Sequence, residues 1–248
     1  FAIRPCLNFS RWVPFPMIPA HRQPALALIR GAGLEVGALH EPFPIPPGTT
    51  VTYADSLKVD EAVRLFAEID ASKITKADQI LNLDVDGLGC FPEKSFDFVI
   101  ISHVLEHLAN PIKTVGEVFR VLRAGGRAII AVPDKRFTFD RTRNLTPFEH
   151  ILADYRNAVT ENSDDHYLDF LGGVAPAVLT ERPESVAHHV ARARARREHC
   201  HVWNSESFRD FLVRSIGLGP CQALPLYESG GDQNQFEYFG VWERTAAE

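Results

Sequence analysis

Five short apolar runs in this chain each end in groups that can hold a ligand or move a proton. Leu34-Glu35-Val36 runs into Gly37-Ala38, and Val51-Thr52-Tyr53-Ala54 runs into Asp55. Gln79 to Leu83 runs into Asp84-Val85-Asp86-Gly87, Phe96 to Ile101 into Ser102-His103, and Ala128 to Val132 into Pro133-Asp134. An ionised carboxylate accepts hydrogen bonds from paired hydroxyls, and glycine lets a backbone approach a ligand with no Cβ in the way. One polar residue after a strand is an ordinary turn or cap group. Polar residues after all five argue for a shared site. Histidine is the side chain best matched to general-base work near neutrality. His103 and Asp134 stand at run ends, while His150, His166 and His201 follow in a more polar segment.

Two further histidine patterns compete for attention. His103-Val104-Leu105-Glu106-His107 matches H-x-x-E-H, an inverted zinc-protease signature. That chemistry needs both histidines on one helix face, and this copy begins where an apolar run ends, so a protease is not expected. His199-Cys200-His201, preceded by His188-His189, is the one stretch where a cation is conceivable. The expected role is a substrate-facing or surface one, and no metal ligand is assigned.

The elements that must position these groups alternate. Val59, Val63, Phe66 and Ile69 recur at helical spacing between the second and third runs. Asn110-Pro111 opens a helix whose apolar stripe is Ile112, Val115, Val118, Phe119 and Leu122, with Gly125-Gly126 as its expected stop. Strand and helix in alternation from 33 to 133 predict an α/β chain: a Rossmann-like, doubly wound, mostly parallel sheet. Its ligands bind at the carboxyl ends of the strands, and about twenty residues from Glu35 to Asp55 is the spacing that puts a carboxylate on ribose hydroxyls. Residues 135–200 break the alternation and read as a helical insertion, a lid after the fifth strand. Runs near Cys221 to Leu226 and Phe236 to Trp242, with a Gly230-Gly231-Asp232 turn, predict a C-terminal antiparallel hairpin. Residues 1–24, rich in proline and aromatics, are expected to pack as an extended arm on a single domain spanning 1–248.

Composition narrows the class. At 45 % hydrophobic and 23 % charged residues, the chain is an ordinary globular protein, not a disordered one. A net charge of −6 argues against nucleic acid as a partner. Ala191 to Arg197 alternates arginine with alanine but lacks interleaved aromatics; it reads as a solvated helix face, or as a lid gripping an anionic acceptor. Four scattered cysteines without a C-x-x-C pair fit free thiols in a reducing, cytoplasmic setting. No apolar run reaches the ~20 residues of a membrane span. The chain begins at Phe1, not Met, so it does not define the protein's true start. Nothing in it speaks to oligomeric state.

The order of these motifs resembles class I S-adenosylmethionine-dependent methyltransferases. The most specific piece is Ser95-Phe96-Asp97-Phe98-Val99-Ile100-Ile101-Ser102-His103-Val104-Leu105-Glu106-His107-Leu108, followed by Pro111 and then Val121-Leu122-Arg123-Ala124-Gly125-Gly126-Arg127. The likeness covers residues 30–135 and is topological beyond. The glycine turn departs from the family: Leu39 and Glu41 stand where its second and third glycines would be. Leu34-Glu35-Val36-Gly37-Ala38-Leu39 is similar to a subgroup of bacterial sugar, polysaccharide or secondary-metabolite enzymes. G-x-G-x-x-G is absent, which argues against a dehydrogenase.

The resemblance implies S-adenosylmethionine as cofactor and S-adenosylhomocysteine as product. It implies that Glu35, Gly37 and Ala38 line the cofactor's amino-acid and ribose portion, and that Asp55 binds both ribose hydroxyls. An acid beside Gly87, Asp86 in preference to Asp84, would hold the adenine amino group. Ser102 and His103 would lie under the sulfonium. The expected reaction is methylation of a hydroxyl on a small polar acceptor, a sugar or an anion, with His103, Asp134 or His201 as base. Methylation of nitrogen or carbon on a secondary metabolite, or a non-catalytic binding module, are the alternatives.

Overall fold

A computed structural model of the protein describes residues 18–180 and 183–245; residues 1–17 of the expected arm lie outside that range. In chain order the main elements are α1 (Gln23–Leu26), β1 (Ala32–Val36), β2 (Thr50–Asp55), α2 (Val59–Leu65), β3 (Gln79–Ile80), β4 (Phe96–Ser102), α3 (Pro111–Val121) and β5 (Leu122–Pro133). Then follow α4 (Phe148–Arg156), α5 (Asp164–Val174), α6 (Ala177–Thr180), α7 (Val186–Ala195), α8 (Ser205–Gly217), β6 (Ala223–Ser229), α9 (Gly231–Asn234) and β7 (Glu237–Arg244). The seven strands form one sheet in the order β3-β2-β1-β4-β5-β7-β6. β1 to β5 are mutually parallel, and β7 runs antiparallel to both β5 and β6. This is the Rossmann-like sheet with a C-terminal hairpin that the alternation predicts.

β4 explains why the sheet's centre reads as an unbroken apolar run. Successive strand side chains point to opposite faces. Val99 and Ile101 therefore join the layer under α3 and α8, with Val115, Phe119, Phe208 and Phe211. Phe98 and Ile100 join the opposite layer with Ala25, Ile29, Phe43 and Phe239. Both layers are buried, so neither face needs polar alternation.

α3 starts as its sequence dictates: the Asn110 side chain accepts from Lys113 N at 3.1 Å, and Pro111 occupies the first turn. Its end differs from expectation. The helix runs directly into β5 at Leu122, and Gly125-Gly126 lie inside that strand, Gly125 with φ of 75°. They shape an irregular strand start instead of stopping the helix. β3 is also shorter than the apolar run. Beyond Ile80 the chain turns on Asp86 N–H to Asn82 O and Gly87 N–H to Leu83 O, which drives Leu81 and Leu83 inward.

The insertion after β5 is helical as expected and carries its own small core of Tyr167, Phe170, Leu171, Val190, Ala193 and Cys200. Buried Arg143 ties it together by ion pairs to Asp140 (2.7 Å) and Asp169 (2.8 Å). Among the described residues Cys90, Cys200 and Cys221 are free, and no helix is long and apolar enough to cross a membrane.

Candidate active site

The strand order reverses between β1 and β4, and a cleft opens there at the carboxyl ends. Gly37, Leu39, Asp55 and the apolar Leu81 and Leu83 form its floor and walls; Arg196 and Arg197, just past α7, form its other side. A second hollow adjoins it, lined by Glu35, Ala38, Ser102 and Phe236, and shares Gly37, Leu39 and His103 with the first. Glu35, Asp55, Ser102 and His103 thus converge on one continuous cleft, as their strand-end positions suggest.

Gly37 is required for a different reason from the one its position suggests. Its N–H is already used, donating to Ala54 O at 2.9 Å. Its φ is 73°, and a Cβ there would stand 2.5 Å from Val104 Cγ2. The glycine lets β1's exit pack against the segment after β4. Leu39, in a family glycine position, sits at φ 42°, so its backbone keeps the left-handed shape that glycine favours.

Burial raises both acids. Glu35 is 3 % exposed; one carboxylate oxygen accepts from Phe43 N at 2.8 Å, and the other has no partner. Burial pushes its carboxyl up to about 7, against the smaller pulls of the Phe43 N–H and Arg22. Asp55, half-buried, accepts from Leu57 N at 3.1 Å. Burial raises it too, opposed by backbone N–H groups and the Arg197 charge.

Several expected site residues lie elsewhere. Asp86 is exposed and folds back to accept from Asn82 N at 2.8 Å, so the preferred adenine partner does not face the cleft. Asp84 caps Ala109 N (2.9 Å) and Asn110 N (3.1 Å), fixing the start of α3. Gly87, at φ 58°, packs towards Glu117 and not towards the cleft. Asp134 is fully buried and saturated: it accepts from Ser205 N and Oγ (both 2.8 Å) and from Arg136 N, Nε and Nη2. Burial raises its carboxyl, but these donors outweigh it and hold the group below the usual range. A carboxylate so occupied joins β5 to α8 and has no free lone pair for a substrate proton. His201 is also sealed, 1 % exposed, and burial takes its imidazole down to about 3. It packs against His150 and His166, whose Nε2 atoms are 3.0 Å apart, away from both hollows. His188 and His189 lie on α7, the former exposed, and do not join His199.

His103 is the expected catalytic residue that reaches the cleft. Its φ is 55°, the left-handed region, which turns the side chain out of the β4 line. Its ring stacks on Phe236, centroids 5.3 Å apart, and Nε2–H donates to Glu237 at 2.7 Å. Glu237 opens β7, is completely buried, and also accepts from Arg22 (2.5 and 2.6 Å) and pairs with His21 (2.6 Å). Burial raises its carboxyl, but His103 and Arg22 overcome that and pull it down to about 2. This anchor was not anticipated. Its only sequence signal is a lone acid at the head of an apolar strand.

Nor was the surround of Glu106 anticipated. Its carboxylate is 1 % exposed and makes no hydrogen bond. His103 Nδ1 (3.7 Å), His107 Nε2 (3.8 Å) and His199 Nε2 (4.0 Å) all face one of its oxygens. His199 arrives because Cys200 N–H and His201 N–H both donate to Glu106 O. Burial raises the Glu106 carboxyl, against the opposing charges of His103 and His199. Burial lowers His199, but its hydrogen bond to Asp140 prevails and leaves it raised.

Residues 37–130 match a family model described as a methyltransferase domain. A protein of Mycolicibacterium smegmatis named as a probable S-adenosylmethionine-dependent methyltransferase is 42 % identical over 59 residues, 23 % of each chain. An uncharacterised protein of Methanocaldococcus jannaschii is 44 % identical over 45 residues, 18 % of this chain and 22 % of that one. The chain thus spans under a quarter of the length of these curated relatives. The crystal structure of protein PH0226 from Pyrococcus horikoshii aligns over 91 % of this chain and 88 % of its own, with 14 % identity and a TM-score of 0.48.

Proposed function

We infer that this chain, whose residues 37–130 match a methyltransferase-domain model, is an S-adenosylmethionine-dependent methyltransferase that methylates a hydroxyl of a small polar acceptor. One observation carries the cofactor assignment: two acids, Asp55 and Glu35, converge with Gly37 on one cleft at the switch in strand order. The fit is specific to the parts of the molecule. Asp55 accepts from the paired ribose hydroxyls. Leu57, Leu81 and Leu83 form an apolar slot for the base, with Asp86 taking no part. The unpartnered oxygen of Glu35 meets the cofactor's ammonium, which restores the charge that burial suppresses.

Bound there, the cofactor supplies a methyl carbon on a sulfonium, open to in-line displacement. The residues do the rest. His103 and Ser102 border the hollow where the acceptor must approach. With Nε2–H committed to Glu237, the lone pair of His103 is on Nδ1, and that atom takes the acceptor hydroxyl's proton. Glu237 orients the ring, the role a third residue plays in a nucleophile–base pair. Asp134 and His201 are positioned by their burial for structure, not for proton transfer.

The acceptor class rests on the lid. Arg197 faces the cleft; Arg196 also lines it but is bound to Glu68 (2.6 Å) and Glu198 (3.0 Å), and Arg194 is bound to Glu161 (2.6 Å) and Asp164 (2.5 Å) on the insertion's surface. A basic side chain at the rim, with Ser102 and His103 beside the acceptor hollow, suits a sugar or an anionic glycoside. Free thiols support a reducing, cytoplasmic setting. We take the insertion and arm as parts of one domain. Incubating the purified chain with methyl-labelled cofactor and a panel of glycosides, nucleotide-sugars, amines and carbon acids tests the assignment. Label on a hydroxyl supports it; label only on nitrogen or carbon replaces the acceptor class.

A further inference from the structure

We propose that Glu106, His107 and His199 form a binding site for one divalent transition-metal cation on the wall of the cleft. One carboxylate oxygen and two imidazole Nε2 atoms lie within 4.8 Å of one another. Four features mark this cluster as built for an ion.

The tautomers are set from outside. His107 Nδ1 is 2.5 Å from the carbonyl oxygen of Arg197, which only accepts, so Nδ1 carries the proton. His199 Nδ1 is 2.6 Å from a carboxylate oxygen of Asp140, so its proton is on Nδ1 as well. Both rings therefore turn Nε2 towards Glu106, where an ion would displace any proton that Nε2 carries. An outer oxygen acceptor that orients a metal-binding imidazole is the usual support of such ligands.

The carboxylate has no other occupation. Both Glu106 oxygens are buried without a hydrogen bond, which is costly for a native acid unless something neutralises it.

The spacing suits an ion and not hydrogen bonds. Gaps of 3.8 and 4.0 Å exceed hydrogen-bond range. Ligand atoms on a tetrahedral ion with ~2.1 Å bonds stand about 3.4 Å apart, so the groups, now within 4.8 Å of one another, would close in on an ion. Two imidazoles and one carboxylate select a borderline cation such as Mn²⁺, Fe²⁺, Co²⁺ or Zn²⁺ over Ca²⁺ or Mg²⁺, which prefer oxygen.

One ligand, His107, borders the cleft. Glu198 lines it too, and His103 places Nδ1 3.7 Å from the same carboxylate oxygen. An acceptor with an oxygen donor can complete the coordination there. This last point alone rests on the methyltransferase assignment.

The other histidine group, His150, His166 and His201, makes a weaker claim. His150 and His166 already face each other at 3.0 Å, and His166 also contacts Ser163 at 3.2 Å.

The test uses the full chain, stripped with a chelator and titrated with Co²⁺, whose visible bands report ligand type and number. The expected result is one Co²⁺ per chain, bound through two imidazoles and a carboxylate by X-ray absorption. Asp140→Asn, which touches no ion, should weaken it 10–100-fold, and Glu106→Gln and His199→Ala by more. His150→Ala should leave it unchanged. Circular dichroism and S-adenosylhomocysteine binding establish that each variant is folded, and the absorption spectrum of the unaltered chain decides the ligands if a variant is not. Sub-stoichiometric uptake, a three-imidazole spectrum, or loss of uptake in His150→Ala overturns the proposal. S-adenosylhomocysteine binding to the stripped chain without Co²⁺ uptake removes this site and leaves the cofactor assignment standing; the reverse result does the opposite.

Discussion

Replacing Glu35 by Gln isolates the acid on which the cofactor end of the cleft depends. In the folded protein the carboxyl titrates near 7, against 4.5 for an unperturbed glutamate. The folded state therefore holds the proton more tightly. Glu35's contribution to stability is fully present below pH 4.5 and is lost as pH rises through 7. The whole shift corresponds to roughly 3 kcal/mol, most of which falls between pH 5 and pH 8. Glutamine keeps an acceptor for the Phe43 N–H but does not titrate. In urea titrations the stability of Glu35→Gln relative to the parent should rise by roughly 2–3 kcal/mol from pH 5 to pH 8. A relative stability flat to within about 0.5 kcal/mol would refute the burial argument. The same proton links to the ligand. At pH 6.5 such a group is about three-quarters protonated, and an ammonium docked beside it should release most of that proton. Calorimetry with S-adenosylhomocysteine in buffers of different ionisation enthalpy should show net proton release, and none in Glu35→Gln. Release that survives in the variant would place the ammonium elsewhere.

Glu237→Gln leaves Arg22 and His21 beside a neutral group and should cost about 3–5 kcal/mol, read as a fall in Tm. In the parent, the Glu237 carboxyl is pulled down to about 2, so its stabilisation is present above pH 4.5 and lost as pH falls towards 2. The acid limb of the parent's stability profile should flatten in the variant. Asp134→Asn should destabilise the fold by a similar amount yet leave kcat in the folded fraction unchanged, because the carboxylate is spent on Ser205 and Arg136. A selective loss of kcat would return Asp134 to the chemistry. Gly37→Ala should cost about 2–3 kcal/mol from its φ of 73° and the Val104 clash. Adding Val104→Ala should recover only the part due to the clash. Full recovery would mean that the backbone carries no strain.

The legible parts of this protein were those that local periodicity determines. β4 and α3 declare themselves through an apolar run and a helical stripe, and the parallel sheet follows from alternation. Glu35, Asp55, Ser102 and His103 were found because a residue at a parallel strand's carboxyl end has few places to point. What escaped was whatever depends on partners far along the chain. Glu237 meets Arg22 across 215 residues, and no local pattern announces it. His199 reaches Glu106 only because backbone N–H groups of residues 200 and 201 share the Glu106 carbonyl. The H-x-x-E-H run was set aside because its helix was missing. A left-handed His103 and a 3₁₀ turn over Leu105–His107 gather its side chains without one. Asp86 was misplaced because its turn offered a nearer N–H, that of Asn82, than any ligand.

The central claim is that one cleft, with Asp55 on its floor, binds S-adenosylmethionine or its product. Titrating the chain and Asp55→Asn with S-adenosylhomocysteine by calorimetry tests it most directly. One molecule should bind per parent chain, and the variant, folded to the same Tm within error, should bind about 10–100-fold more weakly for the loss of hydrogen bonds to a charged acceptor. Absence of heat with the parent, or equal affinity in the two proteins, would contradict the account.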